Sequence, residues 1–419
     1  MQLENNIFIW GVAGFATLGV IARPLRMPEY VWAVLGAALL VTFGFLPWRE
    51  AVTAAGKGMD VYLFLIGMML IAEVARQEGL FDWLAALAVR HAKGSAKRLF
   101  LIVYCVGTLV TVFLSNDATA VVLTPAVYAA ATAARVEPLP YLFICAFIAN
   151  AASFVLPISN PANFVIFGAH MPPLGRWLYQ FMLPSIAAIL TTYLALRFTQ
   201  RGALDQKISK EFTSMPLPLG GKCVAIGIGL MAAALLTASA LDRPLGLPTF
   251  IAGTTVTVVV LSISRRSPFP ALKDISWGII PLVAGLFIMV ESVEQTGILR
   301  SISHLLHGSA ATSLGSASAA AGAVMAFASN ALNNLPAGLV AATVSQSADV
   351  PAQVTSGILI GVDLGPNLSV TGSLATILWL TALRREGEAV TAWQFLKLGI
   401  VVMPPALIMA LAALVWTSP

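Results

Sequence analysis

Ten stretches of this chain are apolar for long enough to cross a lipid bilayer. They lie near residues 6–22, 29–46, 60–78, 139–167, 174–198, 222–240, 246–263, 277–296, 351–383 and 393–416. A spanning helix needs about 20 mostly apolar residues. No water reaches the hydrocarbon core to satisfy backbone amides and carbonyls, so only helices or closed barrels can span it. The lengths are helical, and an all-α polytopic membrane protein is expected. Composition closes the alternatives. Of 419 residues, 58% are apolar and 10% charged, against about 25% charged in soluble domains. So few charges could not coat a soluble enzyme, a disordered chain or a nucleic-acid binder. The first residues, Met1-Gln2-Leu3-Glu4, carry no basic segment, and no cleaved signal peptide is expected.

Two further apolar stretches, 98–133 and 314–346, are each interrupted by a polar knot. Each is too long for one span and awkward as two, which predicts re-entrant helical hairpins. The basic residues orient this layout. With the N-terminus outside, 19 of the 24 Lys and Arg residues fall on the cytoplasmic side, Lys207 and Lys210 among them. Only Arg49, Lys57, Arg176, Arg243 and Arg300 fall outside. The positive-inside rule favours this arrangement, which puts both termini outside.

The chain also repeats itself. Residues 62–84 and 280–302 align at an offset of 218, matching Gly67 with Gly285, Glu73 with Glu291, Gln77 with Gln295 and Gly79 with Gly297. FLSND at 113–117 resembles FASNA at 327–331 at an offset of 214. Each half holds five spans and one hairpin. Five is odd, so the halves must be inverted relative to one another. The expected halves are 1–198, with its hairpin 98–133 entering from the cytoplasm, and 222–419, with its hairpin 314–346 entering from outside. Residues 199–221 form a cytoplasmic linker.

Polar groups at membrane depth are costly unless they line a cavity or find partners. Here they gather in four places. The hairpin tips hold Ser115, Asn116, Asp117 and Thr119, and Ser329, Asn330, Asn333 and Asn334. The spans that follow contain Asn150 with Ser159, Asn160 and Asn163, and Asp363 with Asn367, Ser369 and Thr371. Prolines at 157, 161 and 366 break those spans by removing amide donors. An uncoiled segment facing a hairpin tip is a recurring transporter site. No Lys or Arg lies in any cluster, so the site suits a small neutral polyhydroxy solute or a cation better than an anion. Asp117 and Asp363 are the acids. An ionised carboxylate at this depth costs about 2.5–3.5 kcal/mol, which suits residues that take up and release protons. Glu73 and Glu291 are expected to hold a scaffold span against a hairpin. Trp32, Trp48, Trp177, Trp277, Trp379 and Trp393 lie near span ends and are expected as interfacial anchors.

Three segments carry a resemblance to a known family: FLSNDATAVVLTP (113–125), NNLPAGLVAATV (333–344) and LIGVDLGPNLSVTGSLATILWLTALRREG (359–387). They resemble the arsenite/antimonite efflux permeases of the arsenic-resistance system, in the ion transporter superfamily, and the likeness runs from about residue 7 to 416. It implies secondary active export of arsenite and antimonite across a bacterial or archaeal inner membrane by proton antiport. A separate soluble arsenite-stimulated ATPase can assist such permeases. Arsenite near neutral pH is mainly an uncharged trihydroxide, which fits an Asn, Ser and Thr lining. No cofactor, metal or nucleic-acid partner is expected. This chain lacks a G-x-x-x-x-G-K-[ST] phosphate loop and cannot be an ATPase alone. A trigonal thiolate site from Cys105, Cys145 and Cys223 is disfavoured, because these lie in separate apolar segments and would release arsenic slowly. A sodium/proton antiporter or a carboxylate carrier of the same fold is the alternative. An intramembrane hydrolase is not, since neither G-x-S-x-G nor H-E-x-x-H occurs.

Overall fold

The computed structural model describes residues 2–168, 171–206, 208, 216–348 and 350–417. Lys207, Lys210 and residues 209–215 of the expected linker lie outside the described residues. Every regular element within them is helical. The first half runs α1 (Gln2–Ala22), α2 (Glu29–Thr42), α3 (Trp48–Lys57), α4 (Met59–Gln77) and α5 (Leu80–Ala92) into α6 (Ala96–Phe113). The chain returns through α7 (Asn116–Ala118), a π turn and α8 (Thr124–Ala133). Then come α9 (Leu139–Ala151), an irregular break, α10 (Pro161–Phe167) and α11 (Leu174–Thr199). The same order follows again: α12 (Leu219–Ala240), α13 (Gly246–Ser264), α14 (Pro268–Asp274), α15 (Ile279–Gln295), α16 (Ile298–Thr312), α17 (Leu314–Leu332), α18 (Asn334–Ser347), α19 (Ala352–Leu364), α20 (Leu374–Arg385) and α21 (Ala392–Thr417).

Among the described residues, seven helices are long and apolar enough to cross a bilayer, α14 and α15 counted together. The pair α3 and α4, bent by 48°, makes an eighth. One of the eight, α6, is an arm of the first expected hairpin. The three remaining expected spans are shorter pieces. Helix α2 has 14 residues, and 139–167 and 351–383 are broken where their prolines predicted.

Both polar knots are hairpins that leave at the end they entered. The Tyr141 hydroxyl, just after α8, donates to the Ala96 carbonyl at the start of α6 (3.4 Å). In the second half, Ser303 on α16 donates to the Val344 carbonyl (3.0 Å), and His307 Nδ1 lies 2.9 Å from the Ala348 carbonyl. Side-chain caps start the returning arms. Ser115 accepts the Ala118 amide (3.1 Å) and Asn333 accepts the Leu335 amide (3.4 Å), satisfying amides that a helix start leaves bare. The tips therefore correspond as Ser115-Asn116 with Asn333-Asn334. The FLSN/FASN likeness pairs them one helical turn too early, because α17 continues through Ser329 and Asn330 before it ends.

Small residues let backbones touch. A methyl on Gly361 would overlap the Gly322 carbonyl oxygen, and one on Gly253 would overlap that of Gly67. Close contacts of this kind replace the hydrophobic effect as the glue between helices in lipid. They bind α19 to α17 and α13 to α4.

Charged contacts sort by end. Arg76–Asp274 (2.8 Å), Lys97–Asp205 (2.6 Å) and Arg266–Glu78 (3.5 Å) join residues expected inside. Lys57–Glu291 (2.5 Å) joins residues expected outside. The matched glutamates make ion pairs, but their partners are not the hairpins. Glu73 binds Arg76 and Gln77, and Arg76 reaches on to Asp274 before α15. Glu291 ties α15 to Lys57 at the end of α3.

The tryptophans divide. Trp48, Trp277 and Trp393 are exposed, as anchors would be, while Trp32, Trp177 and Trp379 are buried. Trp177 donates to the Phe154 carbonyl (3.2 Å) and Trp379 to the Leu142 carbonyl (2.9 Å). Neighbouring helices cover those span ends, so these indoles pack inside the protein instead of meeting lipid.

Candidate functional site

The two broken helices cross at the centre of the molecule. Residues 152–160 separate α9 from α10, and residues 365–373 separate α19 from α20. Proline leaves carbonyls free in both breaks, and nearby amides and hydroxyls take them up. In the first, the Asn163 side-chain amide donates to the carbonyls of Ser153 (3.0 Å), Leu156 (3.2 Å) and Pro157 (3.1 Å). Ser159 accepts the Leu156 amide (3.2 Å) and donates to the Val112 carbonyl near the tip of the first hairpin (3.1 Å).

The second break is tied to its own hairpin by more bonds. Asn330 donates to the carbonyls of Ala326 (2.7 Å) and Gly365 (2.8 Å) and accepts the Ser369 hydroxyl (2.6 Å). Thr371 donates to the Asn330 carbonyl (3.0 Å), Asn333 donates to the Thr371 carbonyl (3.3 Å), and the Asn334 amide donates to the Gly372 carbonyl (2.9 Å). Ser329 only turns back on Ala326 within its own helix (3.1 Å).

Contacts between the halves complete the crossing. Asp363 is fully buried. Its Oδ1 accepts from Asn160 Nδ2 (2.8 Å), and its Oδ2 lies 2.6 Å from Ser153 Oγ. Asn150 donates to Asn367 Oδ1 (3.0 Å), and Asn367 donates to the Phe147 carbonyl (3.0 Å). The offset that relates Leu139 to Ala352, 213 residues, also sets Asn150 opposite Asp363. An amide and an acid thus hold corresponding places in the two breaks.

Two cavities approach the crossing. One of about 310 Å³ is lined by Glu29, Glu73 and Asp274, expected inside, and reaches Ser115, Asp117 and Pro161. Among the described residues, no Lys or Arg lines it. The other, of about 650 Å³, is lined by Lys57, Asp242, Arg243 and Glu291, expected outside, and reaches Phe164 and Leu339. Phe64 on α4 lines the first, Phe164 on α10 lines the second, and their rings stack at 4.1 Å. This aromatic pair lies between the cavities.

The sequence-derived residues therefore fall into groups. Asn160, Asp363 and Asn367 meet across the halves. Asn330, Asn333, Asn334, Ser369 and Thr371 join the second tip to its break. Ser159 and Asn163 brace the first. Ser115 and Asp117 face the inner cavity, and no ion pair to Asp117 occurs among the described residues. Asn116 is buried, its side chain accepting the Asp117 amide (2.9 Å). Thr119 is also buried and bonds Thr111 inside the hairpin (2.8 Å). Ser153 and the two phenylalanines were not among the candidates. Ser153 stands just past the end of α9, where its hydroxyl turns back to the Asn150 carbonyl (2.7 Å). Among the described residues, no group of three His, Cys, Asp or Glu is positioned to hold a metal.

Comparison with known proteins agrees with a transporter. The family model described as citrate transporter matches residues 9–362. An arsenical pump membrane protein from Escherichia coli is 27% identical over 91% of this chain and 92% of its own. One from Yersinia enterocolitica is 28% identical over 83% of this chain and 84% of its own. Among solved structures, the Alcanivorax borkumensis YdaH transporter superposes with a TM-score of 0.56 at 15% identity, covering 96% of this chain and 98% of that one.

Proposed function

Because the chain belongs to the citrate transporter (CitMHS) family of membrane transporters, and matches arsenical pump membrane proteins along most of its length, we propose that it exports arsenite and antimonite from the cell by proton antiport. The observation that carries this reading is the makeup of the crossing and of the cavity that leads to it. Hydroxyls and side-chain amides gather at the crossing, carboxyls and hydroxyls stand among apolar side chains in the cavity, and among the described residues no Lys or Arg lines it. A neutral trihydroxide can donate and accept hydrogen bonds there without an ion to offset. A citrate-like anion would want arginines or lysines, and none lines the inner cavity among the described residues.

In this reading residues 1–198 and 222–419 are inverted repeats joined by the linker 199–221. The hairpins enter from opposite sides of the inner membrane, and both termini lie outside. The duplicated order of elements supports it. So do the matched glutamates, since Glu73 pairs with residues expected inside and Glu291 with one expected outside. Substrate enters from the cytoplasm through the cavity that reaches Ser115 and Asp117. Tip and break residues contact it at the crossing: Ser115, Asn116, Thr119, Ser159, Asn160 and Asn163 from the first half, Ser329, Asn330, Asn333, Asn334, Asn367, Ser369 and Thr371 from the second. Asp117 and Asp363 exchange protons as the hairpin bundles move against the scaffold.

Everted membrane vesicles under an imposed pH gradient test this. The wild type accumulates arsenite, and Asp117→Asn and Asp363→Asn lose gradient-driven uptake. Undiminished uptake in both variants rules out these proton sites. Salt tolerance gained by arsenite-sensitive cells, without arsenite resistance, would favour sodium exchange instead.

A further inference from the structure

Three oxygens stand in a row where α9 ends. Ser153 Oγ lies 2.6 Å from Asp363 Oδ2 and 2.7 Å from the Asn150 carbonyl oxygen. Both distances are those of hydrogen bonds, and each such bond needs a hydrogen between its oxygens. Ser153 supplies one. A carbonyl has none to give. Asp363 is the one group of the three that can carry the second. A neutral carboxyl fits the rest of its surroundings as well. Its other oxygen, Oδ1, accepts from Asn160 (2.8 Å) as a carbonyl does.

We propose that Asp363 carries a proton in this conformation, and that Ser153 is the positioning residue that transmits its loss to the helix break. The chain of donors runs from Asp363 O–H to Ser153 Oγ and from Ser153 O–H to the Asn150 carbonyl. The role in coupling rests on the antiport reading above; the location of the proton does not. When Asp363 gives its proton to water, its O–H bond breaks and the pair of electrons stays on the carboxylate. Ser153 then turns its own hydrogen toward that carboxylate. The Asn150 carbonyl is left with backbone amides alone, Ser153's among them at 3.3 Å. The last turn of α9 loosens at the point where the two halves cross.

Among the described residues no ion pair reaches Asp363: on α11, which also packs against α19, Arg176 and Tyr179 are exposed and Arg197 turns to Tyr193, and on α7, which packs against α9, Asp117 lines the inner cavity. Helices α10, α17 and α18 contain no titratable residue, and α19 none besides Asp363. On α9, Tyr141 turns to Ala96, and the Cys145 thiol lies against the Tyr141 carbonyl. On α21, the Lys397 ammonium sits over the Trp393 ring.

Infrared difference spectra of the full chain in liposomes at neutral pH test the proposal. A protonated-carboxyl C=O band is expected in the wild type and absent in Asp363→Asn. It moves to higher frequency in Ser153→Ala, which takes away the acceptor, and stays in place in Ser153→Thr, which restores it. Gradient-driven arsenite uptake falls about tenfold in Ser153→Ala, the worth of one hydrogen bond to a charged group, and recovers in Ser153→Thr. A wild type without an Asp363-dependent band overturns the proposal, even if Ser153→Ala does not fold. So does an unmoved band in a folded Ser153→Ala. Uptake that persists in Asp363→Asn with the band present in the wild type defeats only the antiport role.

Discussion

Removing the ring of Phe64 should open a path between the two cavities. Phe64 and Phe164 are 0% and 3% exposed, with ring centroids 4.1 Å apart and planes inclined by 29°. One ring faces the cavity of about 310 Å³ and the other faces that of about 650 Å³. Phe64→Ala deletes the inner ring and costs about 3–5 kcal/mol as a core truncation. That is a large part of the 5–15 kcal/mol, roughly, that holds a folded protein together. Phe64→Leu removes the flat face but keeps most of the volume, at a cost below about 1.5 kcal/mol. It is therefore the companion variant. The assay is proton leak into sealed proteoliposomes at clamped potential, with an entrapped pH dye and no substrate. Wild-type vesicles should hold their gradient. Phe64→Leu should leak, and Phe64→Ala should leak faster. If both variants are folded and their vesicles stay as tight as wild type, the stack is not the partition.

Two further outcomes follow from the packing and the bonds. Gly361→Val forces α19 away from the Gly322 carbonyl and should destabilise the solubilised protein by about 1–3 kcal/mol, read as a lower midpoint of thermal unfolding; an unchanged midpoint would mean the helices are not in backbone contact. Asn330→Ala leaves the Gly365 carbonyl and the Ser369 hydroxyl without their partner, costing about 1–3 kcal/mol. It should abolish arsenite uptake in vesicles while the protein still reaches the membrane, and full uptake would detach the second tip from the transport cycle.

The hairpins and the broken helices were legible because polar residues interrupt apolar runs that are otherwise uniform. Proline marks both breaks. Local likeness misplaced the second tip by one turn: FASN repeats FLSN, yet the cap that starts the returning arm is Asn333. Capping geometry decides where a helix begins, and four shared letters do not. Ser153 escaped notice for another reason. It stands in the run Ala151-Ala152-Ser153-Phe154, which reads as apolar, and its partner Asp363 lies 210 residues away. Pairing across the halves depends on how the two breaks cross, which no local pattern encodes. Trp177 and Trp379 show the same limit. A position near a span end does not reveal whether another helix covers it.

The pairing of Asn150 with Asp363 bears on how steep a gradient the molecule can sustain. An amide cannot ferry a proton, so under the proposed proton antiport the central intersection offers one carrier per turnover. A single elementary charge falling through 100 mV releases about 2.3 kcal/mol, enough for a concentration ratio of about fiftyfold in an uncharged cargo. Should Asp117 ferry a second, the limit rises to the order of 2,000-fold at equal pH on both faces. The steady-state ratio at a fixed voltage would therefore count how many carboxyls do the hauling.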